Sequence, residues 1–452
     1  MNITLGSIRD CFEGAIPAVI ATCSPDGTPN VAFLSQVHYV DEDHVALSFQ
    51  FFSKTRENIL ANPRAMAQVI RPETGAHYYL SLQYLRTETE GPLFEYMKAK
   101  LAGIASHTGM SKVFRLRGAD VYRVLEIQCA TGAEPQSTPR PRNLLPALRA
   151  GTRQLAVHSD LAALLDELLA GLRTQFSIHH AMVLMYDPGG ARLYTVASYG
   201  YPESGVGSEV ALGAGVIGVA AQELTPIRIS YMTSDYAYSR AVRDNLETQT
   251  TGGFETEIPF PGLAEPHSQM AVPIMLGENL FGVLYVESAE DMRFHHEDED
   301  ALVILANQAA MAIHIIAQQT GDAQEERLPA RHALTPAGGQ AVTIRRFPAN
   351  NSVFIEDVYL IKGVAGAIFW KLVSDYTLHR RTDFTNRELR LSPSLRLPDI
   401  TDNLEARLIL LQRRLAERCP FLHIEKTGRG RFRLSIDRPI KLAEVYPGTE
   451  GW

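Results

Sequence analysis

Arginines at helical spacing carry the most legible chemistry in this chain. Arg407, Arg414 and Arg418 recur along one face of a leucine-striped segment, with Arg413 beside them. Lys426, Arg429, Arg431 and Arg433 follow at once, around the glycines of Thr427-Gly428-Arg429-Gly430. A guanidinium is a planar fork that makes paired hydrogen bonds to phosphate or to a guanine edge. A basic helix followed by a basic hairpin therefore suits double-stranded DNA, the helix in the major groove and the hairpin along the backbone. Charge distribution agrees with this. The 452 residues carry a net charge of −8, yet residues 341–452 hold 19 Lys and Arg against 13 Asp and Glu. The rest of the chain holds 24 against 38. A basic block on an acidic body is expected when one module alone meets phosphate.

Other chemistry is sparse. There is no GxSxG, HExxH or Walker loop, so no catalytic residue is assigned. Cys11, Cys23, Cys129 and Cys419 are scattered without a CxxC pair, which argues against a disulfide framework and a zinc site. His38, His44, His77 and His107 stand isolated, and Cys419 and His423 read as core residues. No apolar run approaches the ~18 residues that span a bilayer. The opening MNITLGSIRDCFEG has no signal core, so the expected location is the cytoplasm, without a membrane partner.

The elements that must position these groups fall into three blocks. Pro-rich or polar stretches at Thr131–Arg142 and Thr320–Gln340 separate them. The resulting division is 1–130, a linker 131–150, 151–319, a linker 320–340, and 341–446. In the first block, short alternating runs from Ala18 to Gln128 predict a small antiparallel barrel with few helices. Ser24-Pro25-Asp26-Gly27 predicts its first hairpin turn, and Asn62-Pro63 stops a short helix over 53–61. The second block begins with Leu161, Leu164, Leu165, Leu168 and Leu172 at helical spacing. Strands follow, and a closing helix over 298–318 makes an α+β domain. In the third block, Thr385-Asn386-Arg387-Glu388 predicts a capping box. Leu404, Leu408, Leu411 and Leu415 stripe a long helix. Ile424, Phe432, Leu434 and Ile436 share the core face of the hairpin, with Lys426, Arg431 and Arg433 pointing outward. This is the layout of a winged helix.

Three resemblances add to this reading. Thr427–Leu434, TGRGRFRL, resembles the wing of the winged-helix output domains of bacterial response regulators. The segments Leu212–Gln222, Met270–Ser288 and Phe294–Ile313 resemble GAF domains, which implies a pocket for a small ligand on one sheet face and helices that often dimerise. Tyr231, Tyr236 and Tyr238 are candidates to line that pocket, with packing an equal alternative. With no cysteine in the block, a thioether-linked bilin is excluded, and His295 and His296 read as part of an acidic, solvent-facing helix start rather than as metal ligands. Residues 8–130 resemble the split barrel of pyridoxamine 5′-phosphate oxidase-like flavin proteins, through Ser48–Arg56 and on to Asn58, Asn62, Pro63 and Arg64. That resemblance implies FMN, with Ser48 and Phe49 near the ring and Ser53 and Lys54 on the phosphate. Thr55 stands where the family often has a second basic residue. The fold class expected is thus multidomain: an N-terminal antiparallel β split barrel, a central α+β GAF domain and a C-terminal winged helix. The function expected is a homodimeric transcription regulator that senses a small molecule or redox state. The alternative is an FMN-dependent oxidoreductase with regulatory appendages.

Overall fold

A computed structural model describes residues 3–14, 16–49, 54–107, 115–130, 143–230, 258–321, 338–393, 395 and 404–446. The first block is a seven-stranded sheet with neighbours in the order β2-β1-β5-β6-β7-β4-β3, antiparallel throughout. Its strands are β1 (Ala18–Cys23), β2 (Pro29–Leu34), β3 (Val37–Tyr39), β4 (His44–Phe49), β5 (Arg64–Ile70), β6 (His77–Glu88) and β7 (Gly118–Cys129). The β1–β2 turn forms as the sequence predicts. Gly27 sits at φ 88° and donates its N–H to the Ser24 carbonyl at 2.9 Å. Helix α1 (Lys54–Ala61) packs beside β1. A second helix, α2 (Pro92–His107), was not expected. It packs Met97 against Ala46 and Ala119 of the barrel and buries Ala99 among residues of the second block, which accounts for apolar residues on both of its sides.

The second block is a six-stranded antiparallel sheet with both faces covered. Its order is β10 (Glu209–Ala211), β9 (Arg192–Tyr199), β8 (His180–Asp187), β13 (Asn279–Ser288), β12 (Ser268–Leu276) and β11 (Ile227–Ile229). On one face lie α3 (Leu145–Leu155), α4 (Leu161–Phe176) and α6 (His296–Gly321). On the other lies α5 (Gly215–Glu223). Helix α3 occupies ground assigned above to the linker 131–150. Its Gly151 sits close against Leu305 of α6, so the second body begins earlier than expected. Helix α6 is long and apolar enough to cross a membrane, with mean hydropathy 1.6 over an 18-residue stretch. Here Leu302, Leu305, Ala309 and Ile313 pack into the sheet.

The third block opens with a four-stranded sheet, β16 (Val358–Ile361), β15 (Ser352–Ile355), β14 (Val342–Phe347) and β20 (Ile440–Glu444), the last pair parallel. Then come α7 (Gly363–His379), β17 (Asp383–Thr385), α8 (Asn386–Leu391) and α9 (Leu404–Arg418). The hairpin β18 (Leu422–Gly428) and β19 (Arg431–Ile436) closes the body, with β19 also pairing with β17. The capping box forms: Thr385 Oγ1 accepts the Glu388 N–H at 3.2 Å. Leu404, Leu408, Leu411 and Leu415 are all buried. The Arg396–Asn403 connection lies outside the described residues.

Candidate functional site

The pocket of the second block sits where α5 crosses the sheet. A cavity of about 200 Å³ opens between Val210 of β10, the α5 start at Gly215–Ile217, Phe260, Gln269 of β12 and Tyr285 of β13. Val283, Tyr285 and Glu287 alternate onto this face because strand side chains have period two. Glu287 is the unusual one, 1% exposed at the end of an otherwise apolar strand. Its carboxylate accepts the Leu263 N–H at 2.9 Å, the Tyr285 hydroxyl at 3.0 Å and the Gln269 amide at 3.4 Å. Burial pushes the nearby Tyr201 phenol upward. A buried carboxylate bordering an apolar cavity suits a ligand that presents an N–H or O–H donor. Sequence reasoning passed over Glu287, although a carboxylate on the inward parity of Val-Leu-Tyr-Val-Glu was a readable signal. Tyr231, Tyr236 and Tyr238 lie outside the described residues.

In the barrel, the flavin-phosphate segment assembles only in part. Ser48 Oγ accepts the Gln36 N–H at 3.1 Å and so ties β4 to its neighbour. The Phe49 ring lies under the Arg56 guanidinium at 4.7 Å. Arg56 is turned away from the start of α1: it pairs with buried Asp120 and donates to Thr87 Oγ1 at 2.8 Å. Lys54 is exposed and stands 3.7 Å from Glu57. Thr55 Oγ1 accepts from the Asn30 side-chain amide at 2.9 Å. Ser53 lies outside the described residues. A phosphate dianion is held by converging cations and free amides. Here one cation is spent on Asp120 and another is shared with Glu57, so these residues fit an FMN phosphate poorly within one chain.

The eight basic residues singled out for DNA in the third block do not form a free surface. Arg407 and Arg414 are each 4% exposed, Arg407 against the second block and Arg414 bonded within its own. Arg407 Nη2 lies 2.8 Å from Asp187 at the end of β8, and its guanidinium stacks over Tyr194 at 4.8 Å. Arg413 bonds Asp166 of α4 at 2.6 Å and the Val196 carbonyl at 3.0 Å. Arg414 donates to the Leu360 carbonyl at 3.2 Å and to Glu417 at 3.1 Å. Arg418 stands 4.0 Å from Glu203. Lys426 pairs with Asp160, the cap of α4, and with Glu405 at 3.4 Å. Arg429, at the hairpin tip, bonds Gln319 at the end of α6. Arg433 pairs with Asp383 at 2.8 Å inside its own block, and Arg431 is half-buried at the hairpin turn.

Two expectations change accordingly. Lys426 does not share the outer face with Arg431 and Arg433: it sits opposite Phe432, on the parity of Ile424, and so faces α9. His295 and His296 are not solvent-facing. Asp10 of the barrel lies 3.7 and 3.9 Å from them, and its closeness to His295 raises that imidazole and lowers the carboxyl.

Residues 5–128 match the family model "Pyridoxamine 5'-phosphate oxidase", and residues 158–314 match "GAF domain". The chain thus carries a pyridoxamine oxidase-like, FMN-binding type of domain followed by a GAF domain, a pairing that points to a sensory or flavin-related role. No curated protein matches the chain. Among solved structures, an FMN-binding protein from Syntrophomonas wolfei is 17% identical over 28% of this chain and 90% of its own, with TM-score 0.24. The GAF domain of an Acinetobacter phosphoenolpyruvate-protein phosphotransferase is 22% identical over 40% and 97%, with TM-score 0.30. A free methionine-R-sulfoxide reductase from Neisseria meningitidis is 17% identical over 38% and 89%, with TM-score 0.30.

Proposed function

We propose that this protein is a cytoplasmic, homodimeric, ligand-responsive regulator whose GAF domain holds a winged-helix DNA-binding domain closed. In this reading α9 is the recognition helix and β18–β19 the wing. One observation carries it: five of the eight basic residues expected to meet phosphate, Arg407, Arg413, Arg418, Lys426 and Arg429, instead face acidic or amide groups of the GAF body. Carboxylates occupying guanidinium forks stand in for DNA phosphate, so protein and DNA compete for one basic surface.

The GAF pocket is placed to bias that competition. Val210 lines the ligand cavity, and the adjacent Glu209 holds Lys362 at 3.1 Å on the face of the output domain. Asp187 ends β8, the strand hydrogen-bonded to β13, which carries Glu287. A ligand that favours one setting of this sheet shifts the closed–open population by its differential affinity for the two states. The test is fluorescence anisotropy of a labelled DNA duplex with the full chain across a salt series. Binding that weakens steeply with salt is expected, and Arg429→Ala with Arg431→Ala should weaken it about tenfold. Absence of salt-dependent binding, even after the acidic clamp is removed, sinks the reading.

A second reading, an FMN-dependent oxidoreductase, is favoured by the match of residues 5–128. The diverted Arg56 and the shared Lys54 weigh against it. An absorbance spectrum of the freshly purified chain separates the two, since bound flavin is yellow.

A further inference from the structure

Where the barrel meets the GAF domain, a small polar cavity of about 70 Å³ runs into an apolar groove of about 500 Å³, the two sharing Phe12 and Gln36. We propose that this joint is a second ligand site, which takes a small amphipathic acid bearing a hydrogen-bond donor near its carboxylate. The proposal is independent of DNA binding.

The polar end shows what it lacks. Arg228 of β11, buried, engages both carboxylates there: Glu13 of the barrel, and Glu299 of α6 at 2.7 Å. Tyr96 of α2 also donates to Glu299, at 2.9 Å. Lys100, one turn further along α2, is left over the Tyr96 ring at 5.0 Å. Arg9 lies over the Tyr39 ring at 4.6 Å. Among the described residues, neither cation has a hydrogen-bond acceptor or an ion pair. Arg9 and Lys100, both half-buried, thus stand unpaired beside the buried Arg228–Glu13–Glu299 cluster, with Asp300 exposed at the rim. Burial lowers the Lys100 ammonium, and an anion reaching Lys100 and Arg9 supplies the acceptor that keeps both charged.

Gln36 adds a second requirement. Its side-chain carbonyl oxygen is buried without a partner, and the residue is 9% exposed. A buried acceptor left unmade costs free energy that a ligand donor recovers. Ile16, Phe33, Leu34 and Leu101 wall the adjoining groove, so the ligand's body is apolar. Carboxylate to Lys100 and Arg9, hydroxyl or N–H to Gln36, and hydrocarbon along the groove together define the class. Because Arg228 and Glu299 belong to the GAF domain and Lys100 and Gln36 to the barrel, such a ligand reports on both.

The experiment is titration calorimetry of the full chain with 3-hydroxyoctanoate and with octanoate. Saturable binding of both is expected, the hydroxy acid tighter by about tenfold. Lys100→Met should weaken both by about tenfold or more. Gln36→Leu should erase the preference while leaving octanoate affinity intact, and it removes an unpaired buried acceptor, so its melting temperature should hold or rise. If Lys100→Met folds poorly, Arg9→Gln and Gln36→Leu carry the same two arms. No saturable heat with either acid up to about 10 mM overturns the proposal. So do equal affinities for the two acids in the unaltered chain, or a folded Lys100→Met that binds both unchanged.

Discussion

If the third block is a DNA-binding domain held closed as proposed, replacing Asp187 by alanine should open it. Asp187 and Arg407 meet at 2.8 Å with side chains 8% and 5% exposed, so the pair is shielded from water. Deleting one partner of such a pair leaves a buried unpaired charge, at a cost of about 3–5 kcal/mol. Arg192 also approaches Asp187, at 3.5 Å, but it is a cation and gives Arg407 no relief. The penalty exists only in the closed arrangement, because lifting α9 off the GAF domain returns Arg407 to solvent. At ~1.4 kcal/mol per tenfold, the closed–open ratio falls by roughly two to three orders of magnitude. Apparent DNA affinity rises by the same factor until the open state dominates, so a gain of about a hundredfold is expected. Asp187→Asn keeps an acceptor and should gain less. The assay is duplex anisotropy, paired with hydrogen exchange of the α9 amides. An Asp187→Ala protein that folds, binds DNA no more tightly and protects α9 as before would refute the clamp.

The pocket, the joint and the flavin segment give further expectations. Glu287→Leu strands the Leu263 N–H, the Tyr285 hydroxyl and the Gln269 amide. It should destabilise the chain by about 2–4 kcal/mol in a denaturant melt, with Glu287→Gln costing less. His38 is pushed down to about 3 by burial first and then by Lys100, with Arg9, Arg228 and Glu299 also facing it. A folded-state value below the ordinary 6.5 means that stability is fully present above pH 6.5 and drains as pH falls toward 3. About 2 kcal/mol should be lost between pH 6.5 and 5, and His38→Phe should flatten that slope in a pH series of melts. Asp120→Asn frees Arg56 from its ion pair; if the α1 start is a flavin-phosphate site, FMN affinity measured by fluorescence quenching should rise about tenfold. An unchanged affinity would place any flavin elsewhere.

Much of the fold was legible because it is written in local patterns. Period-two alternation placed the barrel strands, and the leucine spacing placed α4 and α9. Thr385 and Glu388 marked a helix start through two side-chain hydrogen bonds that span three residues. Helices α2 and α3 were missed because each is stabilised by a surface distant in sequence, Ala99 on the GAF sheet and Gly151 against Leu305 of α6. Glu287 was passed over because its meaning depends on Leu263 and Gln269, distant in sequence.

The sequence by itself determined that eight basic residues cluster on one helix and one hairpin. Their number and spacing are local properties. Tertiary structure alone decided what those residues touch. Asp160, Asp166, Asp187 and Glu203 are separated from their partners by some two hundred residues or more, and nothing in a charge pattern selects them. The energy of an ion pair depends on distance and on exclusion of water, and both are set by how the GAF sheet and α9 come to rest against each other.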